Sequence, residues 1–221
     1  MTFAERLVAV RGRIDRACEV AGRSPGEVRL IAVSKRQPDS SLEEAYRAGQ
    51  RDFGENYVQE LERKRRLLPA DVRWHLIGHL QRNKAKRVTD AFLIHTLDSD
   101  RLARTLSQAA EEAERRVRVL IEVNLAGEEQ KSGVPLEHAS ALVQEASRHS
   151  GLEVSGLMCM PPAAEGARYF RALASLAVRL RQQTGLTLPE LSMGMSHDFE
   201  EAVQAGATLV RVGTALFGPR L

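Results

Sequence analysis

The chain contains 221 residues, and its charges nearly cancel: 32 Lys and Arg stand against 29 Asp and Glu, for a formal net charge of +3. Such a small excess does not by itself indicate nucleic acid or an anionic membrane as a partner, and 5% aromatic residues leave few rings for stacking on bases. The composition, with 43% hydrophobic residues, is typical of a globular protein with a sizeable core. Two cysteines build no disulfide framework.

No apolar run approaches the roughly 20 residues of a membrane helix, and the charged N-terminus lacks the apolar stretch of a signal peptide. We therefore expect a cytoplasmic protein without nucleic-acid or membrane partners.

The first 22 residues are predicted to form an amphipathic helix that packs on the rest of the domain. Phe3, Leu7, Val10 and Ile14 recur at helical spacing, with Arg and Glu between them. Gly22 and the Ser-Pro-Gly turn that follows it end the helix.

Beyond this helix, short β-rich runs alternate with longer amphipathic runs, which is typical of parallel strands joined by crossover helices. The first crossover helix is predicted to open with a capping box formed by Ser40 and Glu43. The predicted strands cover residues 30–35, 53–56, 74–78, 92–97, 117–124, 154–158, 191–193 and 208–212.

Eight β-then-α units of about 28 residues each match the spacing of a (β/α)8 barrel. We therefore predict an α/β fold, a single TIM-type barrel domain over residues 1–221 with the extra helix at its N-terminus. The alternative is an open doubly wound sheet, but no G-x-G-x-x-G motif follows the first strand.

Lys35 is the first candidate functional residue, because functional side chains of such barrels lie where strands end at the carboxyl side. In strict alternation Lys35 shares a face with Ile31 and Val33 and points into the barrel mouth. A partly desolvated lysine there has a lowered pKa and offers a neutral amine for a Schiff base. The alternative is a strand-end lysine that reaches out to solvent.

Arg211 is the second candidate, near the end of the last predicted strand and on the same face as Leu209. A buried arginine needs a partner, which is either a carboxylate in a structural ion pair or an acceptor on a ligand.

The loops after the last two strands carry small residues suited to a phosphate. Ser196 stands just before a short predicted helix, and Gly213 and Thr214 follow the eighth strand. Barrels often bind phosphate at this place through backbone N–H groups. The alternative is a pair of tight turns with Ser196 as an N-cap. A lysine, an arginine and a phosphate site together suit an aldehyde-bearing phosphate cofactor, pyridoxal 5′-phosphate (PLP).

Other chemically notable residues favour structural roles. His75 and His79 have the i, i+4 spacing of helical zinc ligands, but they lie on a strand and its loop, so we predict no metal site. The basic clusters at 63–66 and 84–87 are interpreted as solvated faces of helices. Glu122, inside the fifth strand, is expected to pair with a barrel lysine or arginine. Cys159 is interpreted as a small buried apolar group.

The chain resembles the pyridoxal phosphate homeostasis protein family through motifs that follow one another along nearly its whole length. These motifs are IAVSK at 31–35, FGENY at 53–57, HLIGHLQxNK at 75–84, KSG at 131–133, GLM at 156–158, LSMGMSxD at 191–198 and VRVGT at 210–214. His79 departs from the pattern, which often has proline there.

The resemblance implies a fold-type III PLP barrel, related to the barrel of alanine racemase, with Lys35 as the imine lysine. Arg211 would face the pyridine nitrogen, Ser196, Gly213 and Thr214 would hold the phosphate, and Asn56 would lie beside the ring. Because an arginine does not give its proton to the pyridine nitrogen, the ring is a weak electron sink and carbanion chemistry is disfavoured.

The resemblance to alanine racemase also implies a comparison with a two-domain enzyme, whose second domain supplies a tyrosine base. Eight β/α units leave no residues here for such a domain. We therefore expect a monomeric, non-catalytic carrier that holds PLP and exchanges it with PLP-dependent apo-enzymes. A minimal amino-acid racemase that uses Lys35 as its base is the enzymatic alternative. A (β/α)8 enzyme for phosphorylated sugars, without PLP, is the third.

Overall fold

Strands and helices alternate along the chain, of which the computed structural model describes residues 1–128, 130–162 and 165–218. The strands are β1 (Arg29–Val33), β2 (Asp52–Glu55), β3 (Arg73–Leu76), β4 (Leu93–Leu97), β5 (Val117–Asn124), β6 (Val134–Pro135), β7 (Leu152–Met158), β8 (Glu190–Ser192) and β9 (Leu209–Val212). The α-helices are α1 (Phe3–Val20), α2 (Asp39–Arg47), α3 (Val58–Arg65), α4 (Asp100–Glu112), α5 (Ala139–Ser147), α6 (Gly166–Thr184), α7 (Phe199–Gln204) and α8 (Thr214–Phe217).

The sheet is a closed barrel of eight parallel strands, as predicted. Its order is β4-β3-β2-β1-β9-β8-β7-β5, and a further pairing of β4 with β5 closes the ring. The two-residue strand β6 adds to β5 outside the ring and was not predicted, because two residues carry no readable periodicity. Parallel closure places the carboxyl ends of all eight strands on one side of the molecule, where the site is expected.

Side-chain alternation divides the buried residues into two groups. A small apolar cluster fills the inside of the barrel, whereas a much larger one packs the outer face of the sheet against the helices. The inner cluster contains Ile31, Leu93, Leu120, Met158 and Leu209. Every second residue of a strand points inward. Counting in steps of two from Ile31, Leu120 and Leu209 therefore gives Lys35, Glu122 and Arg211 as further inward positions toward the carboxyl ends of their strands.

Helix α1 begins at a capping box in which Thr2 and Glu5 exchange side-chain and backbone hydrogen bonds. Its apolar stripe is buried, with Phe3, Leu7 and Ile14 at most 3% exposed. The helix packs against α7 and α8.

The predicted start of the first crossover helix was wrong. Helix α2 begins at Asp39 after Pro38, and Ser40 lies inside its first turn. Proline fixes a φ of −67° at the N-cap, which suits chain entry into a helix without a hydroxyl cap. Residues 82–87 form a 3₁₀-helix rather than an α-helix. None of the helices in the described ranges is both long and apolar enough to cross a membrane.

Candidate functional site

One cavity of about 240 Å³, at the carboxyl end of the barrel, contains all the residues that the sequence singled out for a cofactor. Strands β1 and β9 and the loops after β2, β3, β7 and β8 surround it. The predicted residues that line it are Lys35, Asn56, Ser196, Arg211, Gly213 and Thr214. Val33, Ile77, Met160, Met195 and His197 complete the lining. The cavity therefore combines cationic and hydroxyl groups with an apolar wall.

Lys35 reaches this cavity from the turn that follows β1. The strand ends at Val33, and Val33 and Lys35 both line the cavity, as residues two apart on one strand face should. Ser34, between them, is fully buried on the opposite face. Lys35 is half-buried, so its side chain lies along the barrel mouth and does not extend fully into solvent.

Arg211 lies deeper in the barrel and is 4% exposed. Its Nη1 donates a 2.5 Å hydrogen bond to Ser192 Oγ, and its Nη2 donates a 2.9 Å bond to the carbonyl of Cys159. No carboxylate among the described residues lies within 4.0 Å of it, so the structural ion pair considered from sequence is not formed there. Burial lowers the pKa of Arg211 from its usual value, because desolvation disfavours the charged form.

A chain of four hydrogen bonds runs from Arg211 through the barrel to its amino end. Ser192 Oγ lies 2.8 Å from His95 Nδ1, His95 Nε2 lies 3.0 Å from His75 Nδ1, and His75 Nε2 lies 3.1 Å from Asp52 Oδ1. Arginine only donates and an ionised carboxylate only accepts, so the chain has one direction and both histidines carry their proton on Nε2.

The charges along this chain agree with that direction. Burial lowers the pKa of both His75 and His95, so both rings are neutral at physiological pH. Burial works against ionisation of Asp52, but hydrogen bonds from His75 and Arg73 outweigh it and lower the pKa of Asp52. Sequence reasoning missed this set, because Asp52, His75, His95 and Ser192 lie on four different strands.

Ser196 faces the start of α8. Its Oγ accepts backbone N–H groups from Gly213, at 3.3 Å, and Ala215, at 3.4 Å. The alternative role of Ser196 as an N-cap was wrong, because Asp198 caps α7. Two backbone donors thus converge beside the hydroxyls of Ser196 and Thr214, in an arrangement suited to phosphate oxygens.

Asn56 is placed by a close approach between two loops. A Cβ on Gly78 would lie 2.3 Å from the carbonyl oxygen of Asn56, so only glycine permits this packing. His79, next in the chain, is exposed and lies 3.3 Å from Asp98. It does not line the cavity.

Glu122 forms no ion pair within 4.0 Å among the residues described, contrary to the pairing expected from sequence. Burial and the nearby Asp98 raise its pKa to about 7, while Arg211 lowers it. Burial also raises the pKa of the Cys159 thiol to about 12, so this thiol stays protonated and unreactive.

A second cavity, of about 490 Å³, adjoins the first through Met195 and His197. Glu165, Asp198 and Glu201 line it, with Arg168 as the compensating cation. Three carboxylates disfavour an anionic ligand there. Over the described ranges, no three His, Cys, Asp or Glu side chains come together in a way that could hold a metal ion.

Comparisons with known proteins agree along the full length of the chain. The family model of the alanine racemase N-terminal domain matches residues 7–220. The pyridoxal phosphate homeostasis protein of Aquifex aeolicus is 43% identical over 100% of this chain and 99% of its own length. That of Escherichia coli strain K12 is 40% identical over 99% and 97%.

Solved structures give the same relationship. PipY of Synechococcus elongatus PCC7942, with PLP bound, has a TM-score of 0.86 at 40% identity and covers 98% of this chain and 100% of PipY. An alanine racemase of Clostridium difficile 630 has a TM-score of 0.78 at 12% identity, over 99% of this chain and 57% of the racemase, which shows the shared fold alone. With its motifs, its closed barrel and relatives of 40–43% identity over their full length, the chain belongs to the pyridoxal phosphate homeostasis protein family.

Proposed function

We propose that this protein binds PLP covalently, as an imine on Lys35, and acts as a carrier and buffer of the cofactor without robust catalysis. The observation that carries the proposal is one cavity in which Lys35, Arg211 and the backbone N–H of Gly213 meet. Relatives named pyridoxal phosphate homeostasis proteins, and PipY with PLP bound, support it.

The residues that line the cavity suit the three functional groups of PLP, which are its aldehyde, its phosphate and its pyridine nitrogen. The amine of Lys35 suits the aldehyde, with which it condenses by loss of one water. The hydroxyls of Ser196 and Thr214 and the Gly213 backbone suit the phosphate. Arg211 suits the pyridine nitrogen, because two of its N–H groups are taken by Ser192 and Cys159 and its other donors are available for an acceptor. Asn56 completes the wall beside the ring.

Two features favour a carrier over an enzyme. Arg211 retains its proton, so bound PLP would have an unprotonated pyridine ring and would withdraw electrons weakly from a substrate carbanion. The second is the lack of a tyrosine base at the cavity: Tyr46, Tyr57 and Tyr169 are all described, and none of them lines it. Lys35 and His197 are the lysine and histidine that line the cavity, and Lys35 would be occupied by the cofactor.

The test is a spectroscopic titration of purified protein with PLP, followed by borohydride reduction and identification of the labelled peptide. We expect an imine absorbance and a label on Lys35, one of five lysines. Lys35→Ala should lose both signals. Lys86→Ala is the control, because Lys86 is 74% exposed and paired with Glu112, and neither residue lines the cavity.

Each contrary result points to a definite alternative. Retention of the imine absorbance in Lys35→Ala would refute the assignment of Lys35. Sustained, Lys35-dependent conversion of a single-enantiomer amino acid at enzyme-like rates would replace the carrier with a minimal racemase. A protein that ignores PLP would favour a (β/α)8 enzyme for phosphorylated sugars.

A further inference from the structure

Lys64 is a buried cation behind the turn that carries Lys35. Of the five lysines it alone is fully buried, with 0% exposure. It lies in the last turn of α3, which packs on the outer face of β2 and β3, on the opposite side of the sheet from the cavity. Neither the motifs nor the proposed cofactor contacts give it a role.

The contacts of Lys64 hold the residue that precedes Lys35. Its Nζ donates to the carbonyl oxygen of Ser34 at 2.7 Å and to Glu55 Oε1 at 2.8 Å. The hydroxyl of Ser34 donates to the same Glu55 oxygen at 2.6 Å. The hydroxyl and the carbonyl oxygen of Ser34 are thus both hydrogen-bonded to the buried Lys64–Glu55 ion pair.

A second carboxylate, that of Glu60 on α3, holds the residue that follows Lys35. Glu60 Oε1 accepts the backbone N–H of Arg36 at 3.2 Å and lies 3.7 Å from Lys64 Nζ. Arg36 has a φ of +60°, a left-handed conformation that costs free energy for a side chain other than glycine. Glu60 therefore helps to hold a strained turn directly beside Lys35.

These charges are costly where they lie. Burial raises the pKa of Glu55 to about 7, although the Lys64 ammonium and the Ser34 hydroxyl act in the opposite direction. Glu55 Oε2 and Glu60 Oε2 are buried without a hydrogen-bond partner among the described residues. Apolar residues of similar volume often stabilise a fold as well as such a pair does or better, so packing alone does not explain these charges.

We propose that Glu55, Glu60 and Lys64 are positioning residues that hold the backbone on both sides of Lys35, so that its amine is presented to the aldehyde of the cofactor. The inference rests on the proposed function, since it requires an imine on Lys35. It assigns to α3 a role in covalent capture that is separate from contact with the phosphate or the ring, because none of the three residues lines the cavity.

The main test uses the double variant Lys64→Met/Glu55→Gln, which removes the two fully buried charges together and leaves only Glu60, whose side chain is 26% exposed. Two quantities are measured: the rate of imine formation with PLP, by stopped-flow absorbance, and the dissociation constant of pyridoxine 5′-phosphate. The latter has an alcohol in place of the aldehyde and forms no imine. We expect imine formation to slow by about 10-fold or more, while the dissociation constant stays within about twofold.

A second pair of variants separates position from charge. Glu60→Ala removes the acceptor for Arg36 N–H, whereas Glu60→Gln keeps an oxygen there without the charge. We expect Glu60→Ala to slow imine formation and Glu60→Gln to restore it to nearly the wild-type rate. Arg13→Met is the control, because it breaks a 2.7 Å ion pair with Glu200 on another face of the barrel.

The outcomes separate the two proposals. If the wild-type protein forms no imine on Lys35, the proposed function is wrong. If it does, and the double variant captures PLP as fast, the positioning role is wrong. Parallel losses of imine formation and of pyridoxine 5′-phosphate binding would show a general loosening of the site, and would also overturn the positioning role.

Discussion

The two ends of the barrel both hold arginines inside the sheet, but they balance the charge differently. At the amino end, Arg29, Arg73 and Arg118 surround the ring of Phe92 at 5.4–5.7 Å, and each has a carboxylate within 4.0 Å. At the carboxyl end, Arg211 has neutral oxygens as its only partners in the described chain.

This difference separates arginines that the fold pairs with carboxylates from the arginine that the proposed function assigns to a ligand. Asp52, Glu153 and Glu190 place three carboxylates against these three arginines, so the charges at the amino end balance within the protein. Arg211 is more buried than any of them and is left with donors for an added acceptor. A buried cation without an acid is therefore the better mark of a ligand site than a cluster of cations. The hydrogen-bond chain through His75 and His95 joins the two ends.

The largest expected effect is at the amino end. Asp52→Ala removes the acceptor that Arg73, Arg29 and His75 share, and we expect it to lower the free energy of unfolding by roughly 2–4 kcal/mol. Urea denaturation measures this change. Asp71→Ala, which breaks an exposed pair with Arg51, is the control and should cost about 1 kcal/mol or less. Equal losses in the two variants would contradict a structural role for the amino-end network.

The next effect is at the carboxyl end. Arg211→Gln should weaken PLP binding by about 10- to 100-fold, because it would remove the charge-assisted donor that the proposed function assigns to the ring. Spectroscopic titration gives the dissociation constant, and thermal denaturation checks the fold. Arg118→Gln is the matched control: it loses an arginine at the other end and should change PLP affinity by about twofold or less. Similar affinity losses in both variants would remove the distinction between the two ends.

Glu122 is a carboxylate at the Arg211 end that forms no ion pair in the described chain, and its pKa, raised by burial from 4.5 to about 7, makes stability depend on pH. Below pH 4.5 the group is protonated in both states, so it has no effect. As pH rises from 4.5 to 7 the unfolded chain releases the proton first, so the folded state loses stability. Glu122→Gln should abolish this loss, and its stability relative to wild type should rise by about 2.5 kcal/mol between pH 5 and pH 8.

Urea midpoints at several pH values measure this difference. Glu55, whose pKa is also raised to about 7, contributes equally in both proteins and cancels. A difference that does not change with pH would mean that Glu122 ionises in the folded protein at its ordinary pKa.

The smallest effect concerns the link between the ends. Ser192→Ala removes the hydroxyl between Arg211 and His95, and we expect a loss of about 1 kcal/mol in stability and a few-fold loss in PLP affinity. Ser192→Thr keeps the hydroxyl and should recover most of the affinity. An affinity unchanged in Ser192→Ala would show that Arg211 is held by Cys159 alone.

Sequence patterns were sufficient for the barrel and for six of the residues that line the cavity. Lys35 and Arg211 were identified because a polar residue that ends an apolar strand must lie at the carboxyl side of a parallel barrel. Ser196, Gly213 and Thr214 followed from small residues in the last two loops. The exact roles of these residues toward PLP stay predictions.

The missed features depend on contacts between distant segments. Lys64 looked like part of a solvated basic cluster, but the turn after β1 packs over it and buries it completely. Glu122 was expected to find a cation, but its neighbours include Asp98 and no arginine or lysine within 4.0 Å in the described chain. The hydrogen-bond chain required partners up to 97 residues apart.

The sequence by itself determined the alternation of strands and helices, the closed barrel and the set of side chains at its mouth, because side-chain direction along a strand is a local property with a period of two. Only the tertiary structure decided which charges are neutralised and which are left for a ligand. Those partnerships are set by the stagger of strands around the closed ring and by the packing of α3 against β2 and β3, and neither leaves a periodic trace in the chain.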